Sequence, residues 1–212
     1  MNYQEMKYLY QPAAAPTGYT LLLLHGTGGN ESDLLPIGRQ FGDGVNILSV
    51  RGNVSEHGMP RFFRRIGMGI FDEDDLRFRT NEMLHNIKII SGKEGFDMGR
   101  IIALGYSNGA NIAGSMLLMY PDFFVGAILF RPMQPFASPE AFSTARRTPV
   151  LMTNGAADAT VDPTATQRYV QLLTHAGFDV AAYSLQTGHG LTHKDVHLAQ
   201  QWFRDHFSLQ AK

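Results

Sequence analysis

The chain has 212 residues, of which 44% are hydrophobic and 17% charged, enough for a folded domain with a sizeable core. The formal net charge of −1 gives no electrostatic reason to expect nucleic acid or an anionic membrane as a partner. With no cysteine in the chain, disulfides, thiolate metal sites and a cysteine nucleophile are excluded. Residues 1–5 show no basic segment leading into an apolar run, and no apolar run is long enough to span a bilayer. A cytoplasmic protein is therefore expected, without signal peptide or membrane helix.

In chain order, residues 7–10 read as an edge strand, and the Pro/Ala-rich stretch that follows, up to Thr17, as loop. Residues 19–24 are apolar on both faces, the pattern of a strand covered on both sides. They run into His25-Gly26-Thr27-Gly28-Gly29-Asn30, after which Asn30 or Ser32 can cap a helix reaching Phe41. Residues 45–50 form the next strand. The segment 51–71 is long and irregular but rich in Met, Phe and Ile among arginines; so many aromatics argue against disorder. Asp72, Glu73, Asp74 and Asp75 introduce a helix to about Ser91, with Leu76, Thr80, Met83, Ile87 and Ile90 on its buried stripe. Strands are expected in the apolar run from Ile101 and over 125–130, 150–153 and 180–185, and helices after Ser107, over 138–145, from Asp162-Pro163 to Ala176, and from Thr192 to about Phe207. Alternation of this kind predicts an α/β fold: a mostly parallel sheet with helices on both faces, in one domain over 1–212 with no large separate cap.

The chemistry gathers at strand ends. Gly105-Tyr106-Ser107-Asn108-Gly109 follows a short apolar run and opens a small-residue helix. That is the sequence form of a nucleophile elbow, a turn so tight that its neighbours must be small. Ser107 is the candidate nucleophile, His189 after the last strand the candidate base, and Asp158 after the preceding strand its orienting acid. Their chain order, Ser107, Asp158, His189, is the order of α/β-hydrolases. The backbone N–H groups of Asn108 and of Thr27 in the Gly-rich loop are the candidate oxyanion donors. Among the rivals, Asp162 is explained by helix capping, His193 lies inside the last helix, and His25 suits a structural hydrogen bond. His193 and His197 share a helix face but lack the third ligand a metal site needs. The 51–71 segment should roof the substrate pocket, with Arg51, Met59, Phe62, Phe63 and Phe71 as pocket residues. Its arginines have two readings, an ion-pair network with residues 72–75 or the binding of an anionic or phenolic substrate, and the network is the favoured one.

The Gly-rich loop, the elbow, Gly155-x-x-Asp158-x-x-Val161 and Gly188-His189 together resemble the phospholipase/carboxylesterase group of small α/β-hydrolases. Arg51-Gly52-Asn53-Val54, Met59-Pro60-Arg61-Phe62-Phe63-Arg64-Arg65 and Phe71-Asp72-Glu73-Asp74-Asp75-Leu76 resemble a bacterial branch that includes carboxylesterases associated with hydroquinone and quinone stress. The resemblance spans nearly the whole chain. It implies cytosolic hydrolysis of carboxylic esters, usually short-chain or aromatic small molecules, with no metal or organic cofactor. Related acyl-protein thioesterases often carry Gln where this chain has Asn108, and many members dimerise, so a homodimer is compatible with the resemblance. Thioester hydrolysis, or a small-molecule binding module that keeps the triad without turnover, are the alternatives this reading leaves open.

Overall fold

The computed structural model describes residues 2–16 and 18–207. Met1, Thr17 and residues 208–212, which belong to the expected 1–212 domain and, for Thr17, to the expected loop, lie outside the described residues. The elements are β1 (Tyr8–Gln11), β2 (Thr20–Leu24), α1 (Leu35–Gly38), β3 (Asn46–Val50), β4 (Val54–Glu56), β5 (Met59–Arg61), β6 (Arg65–Gly67), β7 (Ile70–Phe71), α2 (Glu73–Glu94), β8 (Ile101–Tyr106), α3 (Asn108–Met119), β9 (Gly126–Phe130), β10 (Pro149–Gly155), α4 (Pro163–His175), β11 (Asp179–Leu185) and α5 (His193–Phe207). Seven strands form one sheet in the order β1-β3-β2-β8-β9-β10-β11. Only β1 runs antiparallel to its neighbour.

The period of two in the strands explains the layering. Leu22 and Leu24 of β2 and Ile101 and Ala103 of β8 face one core, shared with α2, α3 and α4. Leu21 and Leu23, with Ile102 and Leu104, face the other, shared with α1 and α5. Strands apolar on both faces thus separate two helical layers, as a parallel sheet requires. Because β2, β3, β8, β9, β10 and β11 are parallel, their carboxyl ends all open onto one edge of the sheet. Ligands bind at that edge in open α/β sheets.

Local signals set several boundaries. Asp162 accepts hydrogen bonds from the N–H groups of Thr164 and Ala165, capping α4. The side chain of Asp72 does the same for α2 through Asp75. The helix expected from Asn30 or Ser32 is shorter, however. The Asn30 side chain accepts from Ser32 N–H to close a turn, and α1 begins only at Leu35, passing at Arg39 into a single 3₁₀ turn. Residues 138–145 form no helix. Thr144 N–H instead donates to Ala176 O at 2.9 Å, and its hydroxyl donates to Asp122 at 2.7 Å, so long-range partners take the groups a helix would have used. The segment after β3, expected to be ordered but irregular, is more regular than that. It folds into two small antiparallel hairpins, β4–β5 and β6–β7.

Candidate active site

Ser107 stands between β8 and α3 with φ 52° and ψ −111°, a backbone conformation that side-chain-bearing residues rarely adopt. The close packing around it explains the two flanking glycines. A Cβ on Gly105 would lie 2.5 Å from Gly109 O, and one on Gly109 would lie 2.0 Å from Leu24 O. Ser107 N–H is fixed to Phe130 O at 2.8 Å. The hydroxyl is therefore raised from the strand end, where the Ser107 Oγ lies 2.9 Å from His189 Nε2. His189 Nδ1 in turn lies 2.7 Å from Asp158 Oδ2. A hydroxyl, an imidazole and a carboxylate in this sequence of contacts can pass a proton from oxygen to ring nitrogen while the carboxylate orients the ring.

Asp158 is buried, at 8% exposure. Burial alone would raise its pKa, but the Thr160 hydroxyl at 2.6 Å and Thr160 N–H at 2.9 Å donate to it, and His189 adds to their effect. These interactions outweigh burial and hold the carboxyl below its ordinary range. The Thr160 hydroxyl also lies 2.9 Å from His189 Nδ1. Tyr106 OH donates to His189 O at 3.2 Å, with its ring 5.6 Å from the imidazole.

The loop carrying His189 rests on a residue the sequence reading passed over. Arg131, just past β9, is fully buried with φ 56°. Its guanidinium donates to Gly188 O at 3.2 Å and Gly190 O at 2.9 Å, the carbonyls on either side of His189. It also donates to both oxygens of Asp195 at 2.7 and 2.9 Å. Asp195 is itself completely buried and receives the Thr153 hydroxyl at 2.5 Å and the N–H and hydroxyl of Thr192, both at 2.8 Å. Burial raises the Asp195 pKa, but the bonds from Arg131, Thr153 and Thr192 prevail and leave it lowered. Arg131 and Asp195 are 64 residues apart, so no local pattern could have paired them. The one sequence hint was a charged residue directly after the apolar run of β9.

Two asparagines at the start of α3 fasten the surrounding loops. Asn108 Oδ1 accepts from Phe62 N–H at 2.7 Å, and Asn111 Oδ1 accepts from Met133 N–H at 2.8 Å. In the Gly-rich loop, Gly28 N–H donates to Pro60 O at 2.9 Å and Gly29 N–H to Gly26 O at 3.1 Å. Neither is available to a substrate. Thr27 lines the cavity beside Ser107, and its hydroxyl accepts from Arg61 Nη1 at 2.6 Å. Asn108 occupies the first position of α3, where an N–H has no acceptor within the helix. His25 lies 2.7 Å from Gly26 O through Nδ1, and its Nε2 accepts from Gly52 N–H at 3.1 Å. It ties the Gly-rich loop to the start of the roof, and burial pushes its pKa down.

A cavity of about 200 Å³ opens above Ser107, lined by Thr27, Asn108, Asn111, Thr160 and His189 below and by Arg61, Arg65, Met68 and Phe71 of the roof. Of the five expected pocket residues, only Phe71 lines it. Phe62 and Phe63 lie in the link between the two hairpins, after β5 and before β6, and are packed into the core. Met59 is partly exposed and packs beside Gly28. Arg51 is ion-paired with Glu31 outside the cavity. A larger hollow of about 380 Å³ between α4 and β11 includes none of Ser107, Asp158 or His189. Among the described residues, no group of three His, Cys, Asp or Glu side chains could hold a metal ion, and no helix is long and apolar enough to cross a membrane.

No family model matches the chain. It is 41% identical over 200 residues to the hydrolase MhqD of Bacillus subtilis (strain 168), covering 94% of this chain and 98% of that one. The crystal structure of a Bacillus cereus carboxylesterase superposes with a TM-score of 0.92 at 41% identity, covering 95% of each chain. A carboxylesterase from Mesorhizobium loti superposes with a TM-score of 0.87 at 29% identity, covering 93% of this chain and 94% of that one.

Proposed function

Because the chain belongs to the phospholipase/carboxylesterase group of small α/β-hydrolases, we propose that it cleaves carboxylic esters of small molecules, short-chain or aromatic, through an acyl-enzyme on Ser107. The observation that carries this reading is the unbroken hydrogen-bonded chain from Ser107 through His189 to Asp158. Ser107 Oγ attacks the ester carbonyl carbon as His189 Nε2 takes its proton. Asp158 keeps the ring in the required tautomer and stabilises the imidazolium that forms. The N–H groups of Thr27 and Asn108 hold the negative oxygen of the tetrahedral intermediate. His189 then delivers the proton to the departing alkoxide as the carbon–oxygen bond breaks. Water, deprotonated by the same imidazole, attacks the acyl-enzyme, and the acid leaves as Ser107 regains its proton. Side chains and backbone N–H groups supply every group these steps need, so the reading calls for no cofactor. It takes residues 1–212 as one domain, with 51–71 as the roof.

A fluorophosphonate probe with peptide mass spectrometry tests the reading. Labelling should fall on Ser107 in the native chain and vanish in His189→Ala. Hydrolysis by Ser107→Ala should drop on the order of 10⁶-fold, as loss of a serine nucleophile does elsewhere. A folded native chain that takes no label, or a Ser107→Ala variant that keeps its turnover, would overturn it.

A further inference from the structure

Two arginines above Ser107 share one carboxylate. The cavity walls carry Arg61, Arg65 and Arg131 and no aspartate or glutamate. Arg131 is neutralised by its two-point contact with Asp195. Arg64, the neighbour in sequence, turns outward and pairs with Asp72 and Asp75, so it adds nothing to the cavity. Arg65 Nε reaches Glu56 Oε1 at 2.9 Å, and Arg61 Nη1 approaches Glu56 Oε2 at 3.4 Å. That second oxygen is buried and receives no hydrogen bond, so the Arg61 pairing is loose. Two cations against one anion leave one positive charge at the wall beside the nucleophile.

Arg61 carries its share of that charge out of reach of solvent, while the Arg65 side chain is 24% exposed. Arg61 is 3% exposed, and its Nε donates to Phe63 O at 3.1 Å while Nη1 donates to Thr27. Burial, and after it the Arg65 charge, push the Arg61 pKa down, with only Glu56 acting the other way. A buried cation beside a like charge is costly unless an anion completes the site. Guanidinium groups suit planar carboxylates, and a single residual charge matches a monoanion better than a phosphate dianion. The space is small, about 200 Å³, below the roughly 300–1,000 Å³ of pockets for drug-sized ligands.

We propose that the preferred substrate is an ester bearing a second, free carboxylate, a half-ester of a small dicarboxylic acid, held at its anionic end by Arg61 and Arg65 while its ester carbonyl meets Ser107. This rests on Ser107 being the nucleophile of an esterase. The bond broken is the ordinary ester bond. The free carboxylate takes no part in the chemistry and serves to hold the acyl chain in register.

The test compares matched methyl esters in which a terminal carboxylate replaces a methyl group: monomethyl succinate with methyl butyrate, monomethyl glutarate with methyl pentanoate, and monomethyl adipate with methyl hexanoate. Acid release is followed by pH-stat at low and at high salt. For at least one pair, kcat/KM of the half-ester should exceed that of the neutral ester by about tenfold at low salt, a size set by one partly screened charge contact, and the gap should shrink in salt. Arg65→Gln should bring that ratio to about one or below, and Glu56→Gln should raise it, shifts of opposite sign that a general loss of folding does not produce. Neutral esters preferred in all three pairs, or a ratio unmoved in both variants, would overturn the proposal. Hydrolysis of neither member of any pair would sink the esterase reading itself, and this proposal with it.

Discussion

Two arginine sites border the same cavity over Ser107 and His189, and they are built on opposite principles. Below the cavity, Arg131 meets Asp195 in a matched pair, both completely buried, with backbone carbonyls and hydroxyls taking the remaining donors and acceptors. Above it, Arg61 and Arg65 divide one glutamate and face open space. A balanced, fully bonded ion pair holds geometry but has nothing left to offer a ligand. An under-compensated pair at a cavity wall holds less and attracts more. The floor therefore holds the loop around His189 in place, and the roof is where the proposed carboxylate would be met.

Substitutions can break this contrast, and the largest effect should come from the floor. Arg131→Met leaves Asp195 buried without its cation, and urea unfolding should show a loss of about 3–5 kcal/mol. Activity should fall alike on charged and neutral esters, because the loop around His189 loses its support. If Arg131→Met instead shifted the preference between the two esters, the division between floor and roof would be wrong. Asp195→Asn should be less stable than the native chain at neutral pH, but its disadvantage should depend on pH. The folded-state pKa of Asp195 lies below its ordinary value, so its contribution is fully present above the unfolded pKa of about 4 and is lost as pH falls through the lower folded value. The stability gap between the two chains, measured across an acid series, should therefore narrow below about pH 4. The smallest effect should come from the outer side of the roof. Ile66 is 77% exposed and does not line the cavity, so Ile66→Ser should change unfolding free energy by no more than about 0.5 kcal/mol and leave the charged-to-neutral ester ratio where it was.

Much of the fold was legible because its signals are local. Strands apolar on both faces, the Asp162-Pro163 helix start and the crowding of glycines around Ser107 all act through neighbours in sequence. The three groups now seen in contact, Ser107, His189 and Asp158, could be nominated because parallel strands bring every carboxyl end to one edge. The roof was harder. A run of aromatics among arginines shows that the segment is ordered, but not which ring turns toward the core, so Phe62 and Phe63 read like pocket residues until β4–β5 and β6–β7 were seen. The expected helix over 138–145 failed for a related reason. Thr144 bonds Ala176 and Asp122 across the chain, and distant partners of that kind override a weak local preference. Thr160, which braces both Asp158 and His189, had no pattern to mark it.

By itself the sequence determined the α/β alternation, the strained turn at Ser107 and the order of the three strand-end groups, since each follows from steric and periodic rules spanning a few residues. Tertiary structure alone decided how the charges were shared. Arg131 found Asp195, Arg64 found Asp72 and Asp75, and Arg61 and Arg65 were left with Glu56. Net charge is a sum over the chain, whereas compensation depends on which groups lie within a few ångströms after folding. The surplus of one positive charge beside Ser107 therefore becomes visible only once the chain has folded.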